Sequence, residues 1–181
     1  MNDEPLFRDS EHAVRFAFAI CETSICAIPG YLKALLRNQS RKGGRSVEMS
    51  AHEWHAQGAW IRKRITAMEP MLTAYGWACY SWGQERGAAL QMMDGYVTQA
   101  LPTVKNHKLL GLLVRRYVDR GRGKRVSMAE IARSAGVHHS WAGDIDRRVG
   151  DVLDQLHFAF FERLDAEFFE AGLIPEPVVY A

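Results

Sequence analysis

The segment from Ser127 to Arg148, S-M-A-E-I-A-R-S-A-G-V-H-H-S-W-A-G-D-I-D-R-R, constrains the chain more than any other stretch. Ser127, with Glu130 three residues on, has the form of a capping box, in which each side chain reaches the other's backbone amide. A short helix from Met128 to Ser134 follows, with Ile131 and Ala132 facing inward. Ala132 is small where two helices must approach closely. Gly136 stands four residues later, where a tight turn needs a positive φ. Val137 is expected to plug the turn into the core. Ser140 is expected to cap a second helix, with Ile145 as its buried anchor. The order cap, Ala, Gly, Val, cap, Ile predicts a helix-turn-helix. Ala142 occupies a slot that usually carries a larger aliphatic residue, which leaves either looser packing there or a compensating role for Trp141.

The outward side of that second helix offers His138, His139, Ser140, Gly143, Asp144 and Arg147. Short polar groups beside an arginine suit base edges and phosphates. An ordinary helical hairpin with a glycine turn is the plainer alternative.

The charge distribution bears on the choice. Formal net charge is only +2, which does not announce a nucleic-acid binder. Yet Lys105, Lys108, Arg115, Arg116, Arg120, Arg122, Lys124 and Arg125 crowd ahead of Ser127, opposed only by Asp119. After Arg148 the chain turns acidic, with Asp151, Asp154, Glu162, Asp165, Glu167, Glu170 and Glu176. A basic block beside an acidic one suggests two surfaces with different partners. The loop D-R-G-R-G-K-R-V, Asp119 to Val126, is a candidate phosphate contact through Arg120, Arg122, Lys124 and Arg125. Its glycines let backbone amides approach, and its cations supply charge.

The remaining chain reads as helices. Residues 1–9 form a loose leader. Ser10 is expected to cap a helix from Glu11 to about Ala27, with Ala13, Val14, Ala17, Phe18, Cys21 and Ile25 as an apolar stripe. A shorter helix is expected from Tyr31 to about Arg37. The segment 38–47, N-Q-S-R-K-G-G-R-S-V, is a basic loop: a solvated linker, or an arm on DNA phosphates. Ser50 and Glu53 make a second capping box, opening a helix with Trp54, Ile61, Ile65 and Met68. Pro70 ends it and can begin the next, which holds Met71, Leu72, Tyr75, Ala78, Cys79 and Trp82. Another helix runs from about Gln84 to Ala100 with Leu90, Met93 and Val97 as its stripe. Pro102 then marks a boundary. Thr103 is expected to cap a support helix, Val104 to Val118, with Leu109, Leu110, Leu112, Leu113, Val114 and Tyr117 inside. No breaker interrupts the chain from Asp146 to Gly172, although Gly150 weakens the run, so the second helix of the turn unit should continue as one long helix. Val149, Val152, Leu153, Leu156, Ala159, Phe160, Leu164 and Phe168 give it a face, and Gly172 ends it. Phe158, Phe161 and Phe169 exceed what one face needs. The fold class is all-α: a helical bundle over 1–101 with its basic loop, then a helix-turn-helix unit with a long terminal helix over 102–181.

Little in the chain suggests catalysis. There is no Gly-rich nucleotide loop, nucleophile elbow or paired acidic motif, so no enzyme activity and no cofactor are expected. His52 and His55 share a helix face, but Cys21, Cys26 and Cys79 form no Cys-x-x-Cys pair and no zinc spacing, so no metal site is expected. No apolar run is long enough to cross a bilayer, and no secretory signal is recognisable, so a cytoplasmic setting is expected.

The layout resembles a known family. An N-terminal helix bearing H-A-V-R-F-A-F-A, a basic loop, A-Q-G-A-W-I-R around Gln57, an aromatic-rich middle and the late G-V-H-H-S-W-A turn resemble phage Q-type late-gene antitermination factors, or related phage helix-turn-helix regulators. Some relatives carry a Cys-rich zinc element in mid-chain, where this sequence has only Cys79, in W-A-C-Y-S-W. The resemblance implies binding to double-stranded DNA beside a late promoter and engagement of RNA polymerase paused early in transcription. Loading near the RNA exit channel then lets the polymerase read through terminators, in the host-cell cytoplasm. It carries over only to His138, His139, Ser140, Asp144 and Arg147 as DNA contacts. The acidic Asp165 and Glu167 are the expected polymerase contacts. A dimeric repressor or activator, with the last helix as its seam, is the close alternative. A helical adaptor that does not bind DNA is the distant one. The oligomeric state stays open.

Overall fold

A computed structural model describes residues 5–23, 30, 32, 49–123 and 126–176. The expected helix at Tyr31–Arg37, the basic loop 38–47, and Lys124 and Arg125 lie outside them, Leu32 apart. The protein is all-α: the described residues form seven helices and no strand. None of these helices is long and apolar enough to cross a membrane. Packing groups the chain into two units, Met1–Met68 with Phe160–Ala181, and Glu69–Ala159. The boundary read at Pro102 falls inside the second.

In the first unit, α1 spans Ser10–Cys21 and α2 spans Ala51–Thr66. Asp9, not Ser10, caps α1, its carboxylate accepting the His12 amide at 2.7 Å. Ser10 is the first helical residue, and it is buried. The helix stops at Cys21, short of Ala27, because the amide and hydroxyl of Thr23 both turn back to the Ile20 carbonyl, at 3.0 and 2.8 Å. The Ser50–Glu53 capping box opens α2 as its sequence predicts. The core is aromatic. Phe16 lies 5.3 Å from Phe7 and 5.2 Å from Trp54, ring centre to ring centre. Gly58 lets α1 and α2 approach closely: a Cβ there would collide with the Ile20 side chain.

In the second unit, α3 spans Pro70–Tyr80, α4 Glu85–Ala100, α5 His107–Arg120 and α6 Met128–Ala135. Pro70 stands at the start of α3, where its missing N–H costs nothing. Trp82, counted with that helix from its spacing, lies beyond its end and is 63% exposed. In α4, Ala89, Met93 and Val97 are buried, while Leu90 is half-buried. Asn106, not Thr103, caps α5, accepting the Leu109 amide at 3.0 Å. The delay has a cause: the Val104 amide bonds the Leu101 carbonyl at 3.0 Å, a turn that buries both side chains before the helix begins. Leu109, Leu110, Leu113, Val114 and Val118 are buried along α5, with Leu112 and Tyr117 half-buried.

The last helix, α7, runs unbroken from His139 to Glu170, as the absence of breakers predicts. Its buried residues are Ala142, Ile145, Val149, Leu153, Leu156, Phe160, Leu164 and Phe168, at helical spacing. Val152 is half-buried, and Ala159, expected inside, is exposed. Gly172, at φ 67, ends it, with the Leu173 amide on the Phe168 carbonyl at 2.9 Å.

Candidate nucleic-acid interface

The α6–turn–α7 segment follows from local chemistry. Glu130 donates its amide to the Ser127 hydroxyl at 3.2 Å, and the Ser127 amide returns to the Glu130 carboxylate at 3.1 Å. The Ser127 amide, with the Ser127 hydroxyl 3.0 Å from the same carboxylate, holds the Glu130 carboxyl below its ordinary range. Ile131 and Ala132 are buried, as the pattern requires. Gly136 takes φ 68, and the Val137 amide reaches the Ala132 carbonyl at 2.9 Å, so the end of α6 keeps its carbonyls bonded. Val137 itself is half-buried.

The start of α7 departs from expectation. His138, not Ser140, makes the side-chain cap. The Ser140 amide donates to His138 Nδ1 at 3.3 Å, and the Ser140 hydroxyl lies 2.8 Å from the same nitrogen. Ser140 falls inside the first turn, where its hydroxyl is no longer needed as a cap. Nor does Trp141 compensate for the small Ala142: Ala142 is fully enclosed, and the indole is 39% exposed.

Five sequence-selected residues, His138, His139, Ser140, Asp144 and Arg147, all lie exposed on this segment. The opposite side, Ala142, Ile145 and Val149, is buried. Arg147 pairs with Asp144 three residues earlier. The basic loop is less uniform than its composition suggests. Arg120 is half-exposed and sits 3.1 Å from Asp146. Arg122 turns into the fold: it donates to the carbonyls of Cys79, at 3.2 Å, and Ser81, and its guanidinium lies 4.1 Å from the Trp82 ring centre. Two carbonyls at the end of α3 thus claim a cation that spacing assigned to phosphate. An open cavity of about 550 Å3 lies beside α7, where Arg120, Arg147 and Arg148 face Asp144, Asp146, Asp151 and Asp154. Its mixed lining gives no field of one sign. Asp165 and Glu167, the expected partner contacts, are half-buried on the later part of α7, and Glu167 lies 3.4 Å from Arg163.

Sequence reasoning missed several residues that support this surface. Asn106, besides capping α5, donates its amide nitrogen to the Ala135 carbonyl at 3.0 Å. Arg116 pairs with Asp146 and donates to the Val126 carbonyl at 3.3 Å. Arg148 reaches the Thr103 hydroxyl at 3.3 Å. Elsewhere in the unit, the Tyr75 hydroxyl meets His157 Nδ1 at 2.8 Å, and Tyr117 donates to the exposed Asp154 at 2.6 Å. Burial pushes both phenols upward. An Asn three residues past a Thr was a readable cap signal. The pairings across elements carried none, because they join positions far apart in the chain. Among the described residues no three His, Cys, Asp or Glu side chains converge as metal ligands. No protein-family model matches the chain, and no curated protein matches it.

Proposed function

We propose that the protein is a sequence-specific regulator of transcription that reads double-stranded DNA with α6, the Gly136 turn and the first turns of α7. One observation carries the reading: His138, His139, Ser140, Asp144 and Arg147 are exposed together on a segment whose other side is buried. Arg147 has the donor fork that suits guanine, Asp144 accepts from a cytosine amino group, and Ser140 serves either. Arg120, with Lys124 and Arg125, supplies phosphate contacts that carry little sequence information. Enrichment of a binding site from random-sequence duplexes, followed by gel shift, tests the reading. Replacing Ser140 and Arg147 with Ala should cost the enriched duplex about 1–3 kcal/mol for the arginine alone. A folded double variant with an unchanged footprint would exclude this segment as the reader.

Within that class we favour a phage-type antiterminator that also engages RNA polymerase. The sequence resemblance supports it, as does the later part of α7 in the first unit, where Phe169 is 45% exposed near Asp165 and Glu170. An apolar and acidic surface suits a basic protein partner and repels phosphates. Asp165→Lys and Glu167→Lys should then leave gel shifts nearly intact and impair transcription past a terminator. A wild-type protein that gives no readthrough on a template bearing its site would make the repressor the better reading.

A further inference from the structure

The proposed reading surface is small, and most of its side chains extend into solvent. Its aim must therefore be set from behind. Apolar contacts at Ile145 and Val149 choose which side of α7 faces inward, but they tolerate sliding. Directional polar bonds tolerate far less.

Helix α5 supplies such bonds at two points. Near its start, Asn106 uses both ends of one amide. Its oxygen caps α5 by accepting the Leu109 amide, and its nitrogen holds the Ala135 carbonyl, one residue before the Gly136 turn. Ten residues on, roughly 15 Å along the helix, Arg116 does the same with one guanidinium. One nitrogen holds the Val126 carbonyl, immediately before the Ser127 cap, and another pairs with Asp146 on α7. The Arg116 and Asp146 side chains are 22% and 16% exposed, against 79% and 61% for Arg147 and Asp144. The inner pair is largely shielded from water, whereas the outer one is solvated.

The register follows. Successive helical residues are about 100° apart. With Asp146 tied inward, Asp144 and Arg147 on either side of it turn outward together. Arg116 thus has a task that its place in the basic block hides: it acts within the fold and leaves phosphates to its neighbours.

We propose that Asn106 and Arg116 are positioning residues for base reading, Asn106 clamping the turn of the α6–turn–α7 segment onto α5 and Arg116 clamping its start and α7. The proposal rests on the DNA-reading function above. Bidentate base contacts need side chains held to within about half an ångström, so loosening either clamp should reduce discrimination more than general affinity.

The test uses the full chain with two 20-base-pair probes, a duplex enriched by the wild type and its scrambled counterpart. Asn106→Asp keeps the oxygen that caps α5 and loses the donor to Ala135. Arg116→Met removes both of its bonds. Each variant should lose about tenfold in affinity for the enriched duplex. Affinity for the scrambled duplex, and its salt dependence, should stay within about twofold. Melting by circular dichroism should leave Asn106→Asp close to wild type, so that this variant decides the question if Arg116→Met is poorly folded. Equal losses on both probes, with a salt slope lowered by about 0.9, would make the residue a phosphate contact. Unchanged discrimination in folded variants would also overturn the clamp while leaving the DNA reading intact. If the wild type enriches no site, the DNA reading falls, and this inference with it.

Discussion

The two units are held by different chemistry. The first rests on aromatic contact: Phe7, Phe16, Phe18, Phe160 and Phe168 are all nearly inaccessible, and the ion pairs Arg8–Asp9, Arg15–Glu11 and Arg163–Glu167 lie at the surface between near neighbours. The second also has an apolar core, but its elements are stitched by long-range polar bonds: Arg86–Asp119, Arg116–Asp146, Tyr75–His157, Tyr117–Asp154, Asn106–Ala135. Apolar contact supplies most of a fold's stability and little orientation. Hydrogen bonds contribute less each but specify direction. If the second unit reads DNA as proposed, it has more use for the second kind.

The largest test of this contrast is Phe16→Ala. It removes a fully enclosed ring that touches Phe7 and Trp54, and should cost about 3–5 kcal/mol in urea unfolding. That cost should change little between low and high salt. A strongly salt-dependent loss would break the distinction.

Asp146→Ala should cost less, about 2 kcal/mol, a figure reduced from the buried-pair range because both partners keep some contact with water. Arg116 would keep its bond to the Val126 carbonyl but lose its carboxylate. Here the loss should shrink in high salt, and a loss indifferent to salt would show that the clasp is packing rather than charge.

Gly136→Ala comes next. It forces a side chain into the left-handed region, although space is open around the position. About 1–2 kcal/mol is expected from the backbone alone. Gly150→Ala, mid-helix and equally unobstructed, should instead stabilise. Thermal melting of the pair separates the glycine that the turn requires from one the fold does not.

The smallest effects are in pH dependence, and they have opposite signs. Burial at the α4–α5 contact pushes the Asp94 carboxyl up, with Arg115 pulling it partly back. Its raised folded-state value means a contribution present below the ordinary 3.8 and lost as pH rises through the folded value. Asp94→Asn should therefore stabilise at neutral pH and not in acid. Glu130 runs the other way. Its bonds to Ser127 lower it, so its contribution is present above the ordinary 4.5 and fades as pH falls through the folded value. Glu130→Gln should flatten the acid side of the stability profile. Coincident acid limbs for Glu130→Gln and wild type would mean that the capping box adds nothing measurable.

Which of these features can be read from sequence depends on how local they are. Both capping boxes, Pro70, Gly136 and Gly172 act within a few residues of themselves, and each does in the fold what its spacing announces. The unbroken α7 is legible for the same reason. The caps misread at Ser10, Thr103 and Ser140 show the limit of local signals. Several residues in each neighbourhood were able to cap, and burial of Ser10, the Val104 turn and the His138 ring chose among them.

The exposed reading candidates were legible because helical period separates one side of α7 from the other. Arg116, Arg120 and Arg122 were not separable. In sequence they are three cations of one basic block. In the fold one is bound to Asp146 and Val126, one is shared and half-exposed, and one closes the end of α3. Sequence by itself determined the all-α class and the breaks at Pro70, Gly136 and Gly172, because those are set by backbone preferences over three to five residues. Tertiary structure alone decided which charges are spent inside, because a guanidinium's partner depends on carbonyls and carboxylates that the chain brings beside it only when folded.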